Sequence, residues 1–316
     1  MPPNDPGRFE GIMPAIASPC DERDVFQQDT FTDLADWLYQ EGVNGLYVCG
    51  GTGDGYCLRL DERKRILKIA IDVSKQYDGT VISHIGARTS RDAMDLAEHA
   101  AGAGAHGVSS MPPTQLSFAQ LVEYYTDIAR ASELPVLVYH IPFITGVDLT
   151  RHQVVQLLDI EGVIGLKASD WNLVFTKQIL EDRPHIVLFN GMDEFLVPGL
   201  LYGATGGIGM WYNVFPRLFI AMNQAVQNGN LATAMDLENR LIGLTQYGWE
   251  FGMKGLFERI MRQRDLAQYV FRRPRQTFCD ATTNRLDQVV PVKLAAIDHA
   301  LETLPTQIGP SVATSL

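Results

Sequence analysis

Short apolar segments alternate along the chain with longer segments in which apolar and polar positions recur every three or four residues. The short segments are almost continuously apolar or small, which is typical of parallel strands that are buried on both faces. They lie at residues 11–17, 45–50, 80–86, 107–111, 134–141, 162–168, 186–190 and 206–210. The pattern therefore predicts eight buried parallel strands.

Amphipathic segments lie between and after these strands and predict helices. They occur at residues 31–40, 61–75, 90–101, 117–131, 150–158, 172–180, 194–202 and 215–227. Strand–helix units of about 20–35 residues match the period of the (β/α)8, or TIM, barrel. A doubly wound sheet is the alternative, but such a sheet rarely repeats so evenly. We expect an α/β protein whose barrel spans residues 9–228.

The strand signals stop after this region, and three further helical segments follow. They lie at residues 231–246, 251–264 and 286–304. Because these helices cannot bury their apolar faces alone, residues 229–305 are expected to form a helical extension packed on the barrel or on a partner. Residues 1–8 and 306–316 are expected to be loose tails.

Composition and charge narrow the classes of function. Of the 316 residues, 46% are hydrophobic and 20% are charged, which favours a folded core over disorder. The net charge of −11 would repel a phosphate backbone, so we expect no nucleic-acid partner. The dense basic run at residues 272–275 is expected to be a solvated turn near a helix end.

Targeting and metal-binding signals are missing from the sequence. The N-terminus has no basic and apolar leader, and no stretch of apolar residues is long enough to span a membrane, which predicts a cytoplasmic protein without a membrane partner. The four cysteines form no CxxC pair and no zinc-like cluster with histidine, so neither a disulfide framework nor a metal site is expected.

A lysine at the end of the sixth strand is the first candidate for chemistry, because barrel enzymes gather their active sites at the C-terminal ends of strands. Of the seven lysines, Lys167 is the one within an apolar strand-like segment. Burial lowers the pKa of an ammonium group, and a drop of about three units makes the nucleophilic amine roughly a thousandfold more abundant. The alternative is a lysine that extends to solvent or pairs with a carboxylate.

Other strand ends carry further candidates. Tyr139, at the end of the fifth strand, either moves protons or fills the core; if it faces the lumen, His140 faces the helices, since neighbours in a strand point to opposite faces. The glycine-rich turn containing Gly51 and Thr52 either binds a carboxylate or is a simple tight turn.

Two more strand ends complete the set. Asp193 and Glu194 follow the seventh strand, where they could bind sugar hydroxyls or a metal, or could be favoured by the dipole of the following helix. The eighth strand ends in small residues, among them Gly209, which let another group approach closely.

Taken together, these strand ends resemble the dihydrodipicolinate synthase/N-acetylneuraminate lyase family of pyruvate-dependent class I aldolases, over about residues 9–305. The motifs that carry the resemblance lie at residues 50–54, 139–146, 165–167, 190–194 and 206–209. The resemblance implies that Lys167 forms an imine with a keto carbon, that Tyr139 shuttles a proton, and that Gly51 and Thr52 hold the pyruvyl carboxylate. It also implies no metal or organic cofactor, and a homotetramer built as a pair of dimers.

Within the family, the motifs are most similar to those of the N-acetylneuraminate lyase branch. That resemblance implies contacts with a polyhydroxylated tail from Ser169, Gly191, Asp193, Glu194 and Gly209. Carboxylates suit such a tail because they accept several hydroxyl hydrogen bonds at once.

Four departures from the family pattern bear on the substrate. Ile144 stands where the synthase branch has a carboxylate-binding arginine, and residues 112–115 lack the tyrosine that the synthase branch lends across its dimer. Gly51 replaces a threonine or serine, and Met210 replaces a tail-binding serine of the sialic acid lyases. The first two argue against dihydrodipicolinate synthase, and the last two leave a shorter 2-keto-3-deoxy sugar acid as open as sialic acid.

The sequence thus favours an enzyme that cleaves a hydroxylated 2-keto acid to pyruvate and an aldehyde, both small-molecule partners. A dehydratase or a dihydrodipicolinate synthase-like enzyme using the same lysine imine is the alternative. A barrel kept only for binding is the third possibility, and an imine-forming lysine beside a tyrosine argues against it.

Overall fold

All eight predicted strands occur in the computed structural model, which describes residues 6–304. They are β1 Gly11–Pro14, β2 Gly45–Val48, β3 Thr80–His84, β4 Gly107–Ser110, β5 Val136–His140, β6 Val163–Ala168, β7 Val187–Asn190 and β8 Gly206–Gly209. Every pairing is parallel, in the order β1-β8-β7-β6-β5-β4-β3-β2. A parallel bridge between Ala15 and Tyr47, with Ile16 N–H 3.0 Å from the Tyr47 carbonyl, brings β1 against β2. The (β/α)8 barrel prediction is confirmed.

Helices follow the strands around the barrel. They are α1 Gln28–Gln40, α2 Leu60–Ser74, α3 Ser90–Ala103, α4 Phe118–Ser132, α5 Pro142–Thr145, α6 Arg151–Leu158, α7 Leu173–Asp182, α8 Leu196–Leu201 and α9 Pro216–Gln227. The sequence pattern missed α5, a single turn that begins at Pro142 and ends at Gly146, whose φ of 67° is left-handed. The helix predicted at 194–202 is divided into a 3-10 turn, Asp193–Phe195, and α8.

Side chains of the barrel pack in two separate cores. The inner core fills the lumen and contains Phe9, Met13, Ala15, Tyr47, Ile82, Met111, Leu137, Tyr139, Ile141, Val187, Phe189 and Ile208. The outer core lies between the strands and the helices and takes the alternate residues of each strand, such as Leu46, Val138 and Leu166. This alternation explains why the strands are apolar throughout, since both faces are removed from water.

Three long helices form the C-terminal extension. They are α10 Leu231–Phe251, α11 Met253–Gln263 and α12 Asp280–Glu302. Helix α10 packs on α9 and on the Asp193–Phe195 turn, so its last turn reaches the end of the barrel at which the strands finish. Gly252 separates α10 from α11 with a φ of 132°, and a Cβ there would lie 1.3 Å from the Gln276 amide nitrogen. The division of the chain at residue 228 stays a prediction.

The basic run at 272–275 is not the solvated turn that the sequence suggested. Arg272 is buried; its backbone N–H donates to the Asp54 carboxylate at 2.8 Å and its guanidinium donates to the Ser18 carbonyl. Arg273 and Arg275 both pair with Asp24, at 2.8 and 2.6 Å. The prediction was wrong because the loops after β1 and β2 supply partners from more than 200 residues away in the sequence.

Regular structure begins earlier in the sequence than predicted, at Pro6. Pro6–Arg8 form a 3-10 turn, and the buried Arg8 pairs with Asp78 at 2.8 Å, so the loose tail expected over 1–8 is wrong for these residues. The rest of that tail and residues 305–316 lie outside the described part of the chain. No helix within residues 6–304 is both long enough and apolar enough to cross a bilayer. All four cysteines are free thiols.

Candidate active site

Lys167 and Tyr139 are neighbours across the β5–β6 pair and both point into the lumen. They are register partners, and their side chains are 3% and 5% exposed respectively. The Lys167 Nζ lies 4.0 Å from the centre of the Tyr139 ring and 4.3 Å from that of the Tyr47 ring. His140 points the other way, with its Nε2 3.3 Å from the Asp170 carboxylate and its ring 5.2 Å from that of Phe175 on α7. The predicted alternation of Tyr139 and His140 is therefore confirmed.

Burial has a large effect on the Lys167 amine. Desolvation lowers the pKa of Lys167 from 10.5 to about 7, and the negative charge of Asp193 limits the drop. At neutral pH a large fraction of the amine is therefore unprotonated, which is the state that attacks a carbonyl carbon. The amine lies against two aromatic rings inside the barrel and does not extend to solvent, and it forms no ion pair with a carboxylate of residues 6–304.

Tyr139 and Ser169 form the polar part of the lumen beside the lysine. Burial raises the pKa of Tyr139 to about 12, and a hydrogen bond with the Ser169 hydroxyl partly offsets that rise. Ser169 in turn donates to the Gly191 carbonyl at 3.0 Å. A Cβ on Gly191 would lie 2.1 Å from the Ser169 oxygen, so only glycine leaves room for this arrangement. The phenol stays protonated at neutral pH and can donate to a substrate oxygen.

Asp193 is a buried carboxylate that packs against the end of β8. Burial, reinforced by the charge of Glu194, raises the pKa of Asp193 to about 7. Its Oδ2 accepts the Trp211 N–H at 2.7 Å, and a Cβ on Gly209 would lie 1.8 Å from its Oδ1. Gly209 therefore makes room for this carboxylate, in line with the close approach that the small residues at the end of β8 predicted.

The glycine-rich turn after β2 closes tightly on itself. Asp54 N–H donates to the Gly51 carbonyl at 3.1 Å, and Gly55 N–H donates to the Gly50 carbonyl at 3.0 Å. Thr52 is buried within the turn, whereas Gly51 is exposed and has nothing within 4 Å of a Cβ position. Structural and carboxylate-binding functions are compatible here, because the turn fixes its backbone while Gly51 and Thr52 face the cavity.

A single cavity of about 470 Å³ at the C-terminal ends of the strands brings the candidates together. All nine residues named from the sequence line it: Gly51, Thr52, Tyr139, Lys167, Ser169, Gly191, Asp193, Glu194 and Gly209. A larger cavity of about 1040 Å³ lies at the other end of the barrel, around the starts of β6 and β7, and contains none of them. The candidate residues therefore lie together at the end of the barrel where they were expected.

Several residues of the site were missed by the sequence analysis. Tyr47 lies fully buried in the lumen, with its hydroxyl donating to Ser109 at 3.1 Å; strand parity applied to β2 would have found it. His84 ends β3, and burial holds its pKa well below its usual value. Lys254 and Trp249 also line the cavity, but they come from the C-terminal helices, for which the strand pattern gives no signal.

No cluster of metal-binding side chains occurs in the part of the chain that the structure describes. Within residues 6–304, no group of three or more histidine, cysteine, aspartate or glutamate side chains is arranged to hold an ion. The acidic pair is held by protein donors instead, with Asp193 bound to the Trp211 N–H and Glu194 bound to the Trp249 indole.

Comparisons with known proteins identify the family to which the chain belongs. Residues 8–293 match the model of the dihydrodipicolinate synthetase family. An N-acetylneuraminate lyase of Enterobacter sp. (strain 638) is 34% identical over 75% of this chain and 82% of its own. A sialic acid aldolase of Ruminococcus gnavus has the same fold, with a TM-score of 0.86 at 23% identity, covering 94% of this chain and all of its own.

A third similar protein was solved with pyruvate. It is a prophage protein of the dihydrodipicolinic acid synthase family from E. coli K12, with a TM-score of 0.84 at 25% identity, covering 90% of this chain and 99% of its own. The resemblance that the strand-end motifs suggested is confirmed. This chain belongs to the dihydrodipicolinate synthetase family.

Proposed function

We propose that this chain is a class I aldolase that cleaves a hydroxylated 2-keto acid of the N-acetylneuraminate type to pyruvate and an aldehyde. The observation that carries the proposal is a fully buried lysine in the barrel lumen, with its pKa lowered to about 7, beside a buried tyrosine. The lyase names of relatives about 34% identical to the chain support the same activity.

Lys167 is proposed as the nucleophile. Its neutral amine attacks the keto carbon, and the adduct takes up a proton and loses water to form a protonated imine. The bond between C3 and C4 of the substrate then breaks, its electron pair moves toward the imine, and an enamine forms as the aldehyde departs. Protonation of the enamine carbon and hydrolysis of the imine release pyruvate and return the amine. No cofactor is needed, because the imine itself accepts the electrons.

Tyr139 is proposed to relay the proton of the hydroxyl on the bond that breaks. Its phenol lies beside the lysine and is hydrogen-bonded to Ser169. As the aldehyde forms, the phenol gives its own proton to the enamine carbon and takes the hydroxyl proton of the substrate in exchange. Gly51 and Thr52 are proposed to hold the pyruvyl carboxylate, since their turn faces the same cavity. Ser169, Gly191, Asp193, Glu194 and Gly209 are proposed to shape the subsite for the tail.

A dehydratase that shares the imine is the second candidate. Gly51 favours this candidate, because it has no hydroxyl that could take part in a proton relay with Tyr139. Met210 also favours it, because an apolar side chain lines the cavity where the hydroxylated tail of an aldolase substrate would bind. A panel of N-acetylneuraminate, keto-deoxygluconate, keto-deoxygalactonate and keto-deoxyarabonate separates the two activities. An aldolase releases pyruvate from one of them, whereas a dehydratase releases water and keeps the carbon chain whole.

Reductive trapping tests the imine directly. Incubation with pyruvate and borohydride should add one pyruvyl group per chain, located on Lys167 by mass spectrometry. Lys167→Ala should abolish the adduct, and Lys177→Ala, which changes an exposed lysine on α7, should leave it intact. Absence of the adduct in the wild-type protein, or its survival in Lys167→Ala, would contradict both enzyme proposals.

A homotetramer in the cytoplasm is proposed as the working form. Large apolar side chains such as Met235 and Ile242 on α10 and Val292 on α12 are exposed in the single chain, and burial against other copies would remove them from water. Light scattering should then give a mass four times that of the 35.1 kDa chain. A monomeric mass would contradict the tetramer without affecting the imine.

A further inference from the structure

Trp249 links the C-terminal extension to the acidic pair of the cavity. It lies in the last turn of α10, and its indole N–H donates to Glu194 Oε1 at 3.0 Å. Glu194 is only 8% exposed, whereas Trp249 is 48% exposed at the cavity mouth. A hydrogen bond from a neutral donor to a carboxylate is stronger than one between two neutral groups, and it restricts the rotation of the glutamate.

Aromatic neighbours hold the indole in place. The rings of Trp249 and Trp171 pack edge to face with their centres 5.0 Å apart. Trp171 contacts Phe195 in the same way at 5.8 Å and lies 6.3 Å from Phe143. These four rings come from four separate segments of the chain, and the contact with Trp171 restricts the Trp249 side chain at the mouth without burying it.

The two carboxylates of the acidic pair, Asp193 and Glu194, differ in their capacity to accept further hydrogen bonds. Asp193 accepts the backbone N–H of Trp211, is backed by Gly209 and is remote from solvent. Glu194 gives one oxygen to Trp249, and within residues 6–304 no hydrogen bond from the protein to its second oxygen is found. That oxygen, in a cavity lined mostly by apolar groups, is suited to accept substrate hydroxyls.

We infer that Trp249 is a positioning and specificity-determining residue for the aldehyde portion of the substrate. Its N–H fixes Glu194 so that the second carboxylate oxygen faces the cavity, and its ring supplies an apolar surface for the C–H groups of a polyhydroxylated chain. The inference rests on the proposed function, since it assigns a residue to the tail subsite of that reaction. Neither group contacts the Lys167 amine, so the pyruvyl end should not depend on them.

Steady-state kinetics of four variants test the inference. The substrate is whichever of the four keto acids named above the wild-type protein cleaves with the highest kcat/KM. Trp249→Phe keeps a ring at the mouth and removes the N–H, and it should raise KM by about 5- to 20-fold with kcat changed by less than about twofold. Glu194→Gln should also raise KM, and the double variant should add little to it, because both changes remove one shared interaction.

Two controls separate positioning from general damage. Trp37→Phe, on α1 and away from the cavity, should behave as wild type. Trapping of pyruvate by borohydride should proceed equally fast in Trp249→Phe and in the wild-type protein, since pyruvate has no tail.

Each outcome decides a different point. An unchanged KM in Trp249→Phe, or additive effects in the double variant, would overturn the inference while leaving the aldolase proposal intact. Slower pyruvate trapping in Trp249→Phe would show that the residue supports the whole site and would also overturn it. A wild-type protein that traps pyruvate but cleaves none of the four acids would contradict the aldolase proposal and, with it, the inference that rests on it. A wild-type protein that traps no pyruvate would contradict the lysine imine itself.

Discussion

At the floor of the cavity Lys167 and Tyr139 project from neighbouring strands, whereas at its mouth Glu194 and Trp249 come from a turn and from the C-terminal helix α10. The floor is enclosed by buried rings, and its reactive amine has its pKa lowered by the absence of water. The mouth is half-exposed, and its carboxylate is held by a hydrogen bond. In the proposed reaction, chemistry that needs a dry environment is thus built on the rigid barrel, and recognition that must differ between substrates is built on the parts around it.

The largest effect is expected when the ammonium group is removed from the floor of the cavity. Lys167→Met should lower kcat/KM by at least about 10⁴-fold, because no imine can form. Its midpoint of thermal unfolding should nevertheless equal or exceed that of the wild type, since a buried ionisable group is replaced by an apolar one of similar length.

The pH dependence of stability checks the same substitution. The pKa of Lys167 is about 7 in the folded protein and near 10.5 when exposed, so between these values the unfolded chain binds more protons. The destabilisation caused by burying this ammonium group therefore decreases as the pH rises from 7 to 10.5, so the stability of the wild type increases, and the methionine variant should lack that increase. A variant that is inactive and also clearly less stable than wild type would show that the lysine supports the barrel rather than the reaction.

Tyr139 should give the second largest effect. Tyr139→Phe should slow turnover by about a hundredfold, as expected when a proton relay is lost, while borohydride still traps pyruvate on the lysine. Tyr47→Phe is the matched control, because Tyr47 also packs its ring against the lysine but directs its hydroxyl to Ser109. Equal losses in the two variants would mean that the rings, rather than the Tyr139 phenol, are what the reaction requires.

The barrel, its floor and the acidic pair could be predicted from the sequence, whereas the part of the mouth supplied by the C-terminal helices could not. Continuous apolar strands place Lys167 and Tyr139 by counting alone, because strand order and alternation of side chains are local properties of the sequence. Trp249 and Lys254 reach the cavity through the packing of α10 and α11, and Arg272 is buried through Asp54, which lies more than 200 residues away. Such contacts depend on tertiary packing, which no period in the sequence encodes.

Asp193 lies between the floor and the mouth of the cavity. A pH profile tests whether its charge affects the lysine on the floor. In the wild type the rate of imine formation with pyruvate should rise with a midpoint near pH 7, as Lys167 loses its proton. Asp193→Asn removes the negative charge that favours the ammonium form, so the midpoint should move down by about one pH unit. Well below pH 7 the aspartate is itself protonated, and the two proteins should converge.

Substrate dependence gives the second half of that test. If Asp193 also serves the tail, Asp193→Asn should raise KM for the polyhydroxylated acid more than for pyruvate. Equal changes in both values would make the carboxylate part of the floor alone. An unshifted pH midpoint would remove its electrostatic influence on the lysine.

The smallest effects are expected at Gly51, which the sequence singled out and the structure leaves open. A Cβ there would meet nothing within 4 Å, and its φ is not left-handed, so Gly51→Ala should change the free energy of unfolding by less than about 0.5 kcal/mol. The same change at Gly209 would put a Cβ 1.8 Å from Asp193 and should be far more damaging, which makes it the positive control.

Gly51→Ser adds a hydroxyl at the same place. If the turn binds the pyruvyl carboxylate, this serine should lower KM for pyruvate relative to Gly51→Ala, because it adds a donor near the anion. Identical KM values for the alanine and serine variants would mean that the carboxylate does not approach Gly51, and that the pyruvyl end is held by Thr52 and the floor.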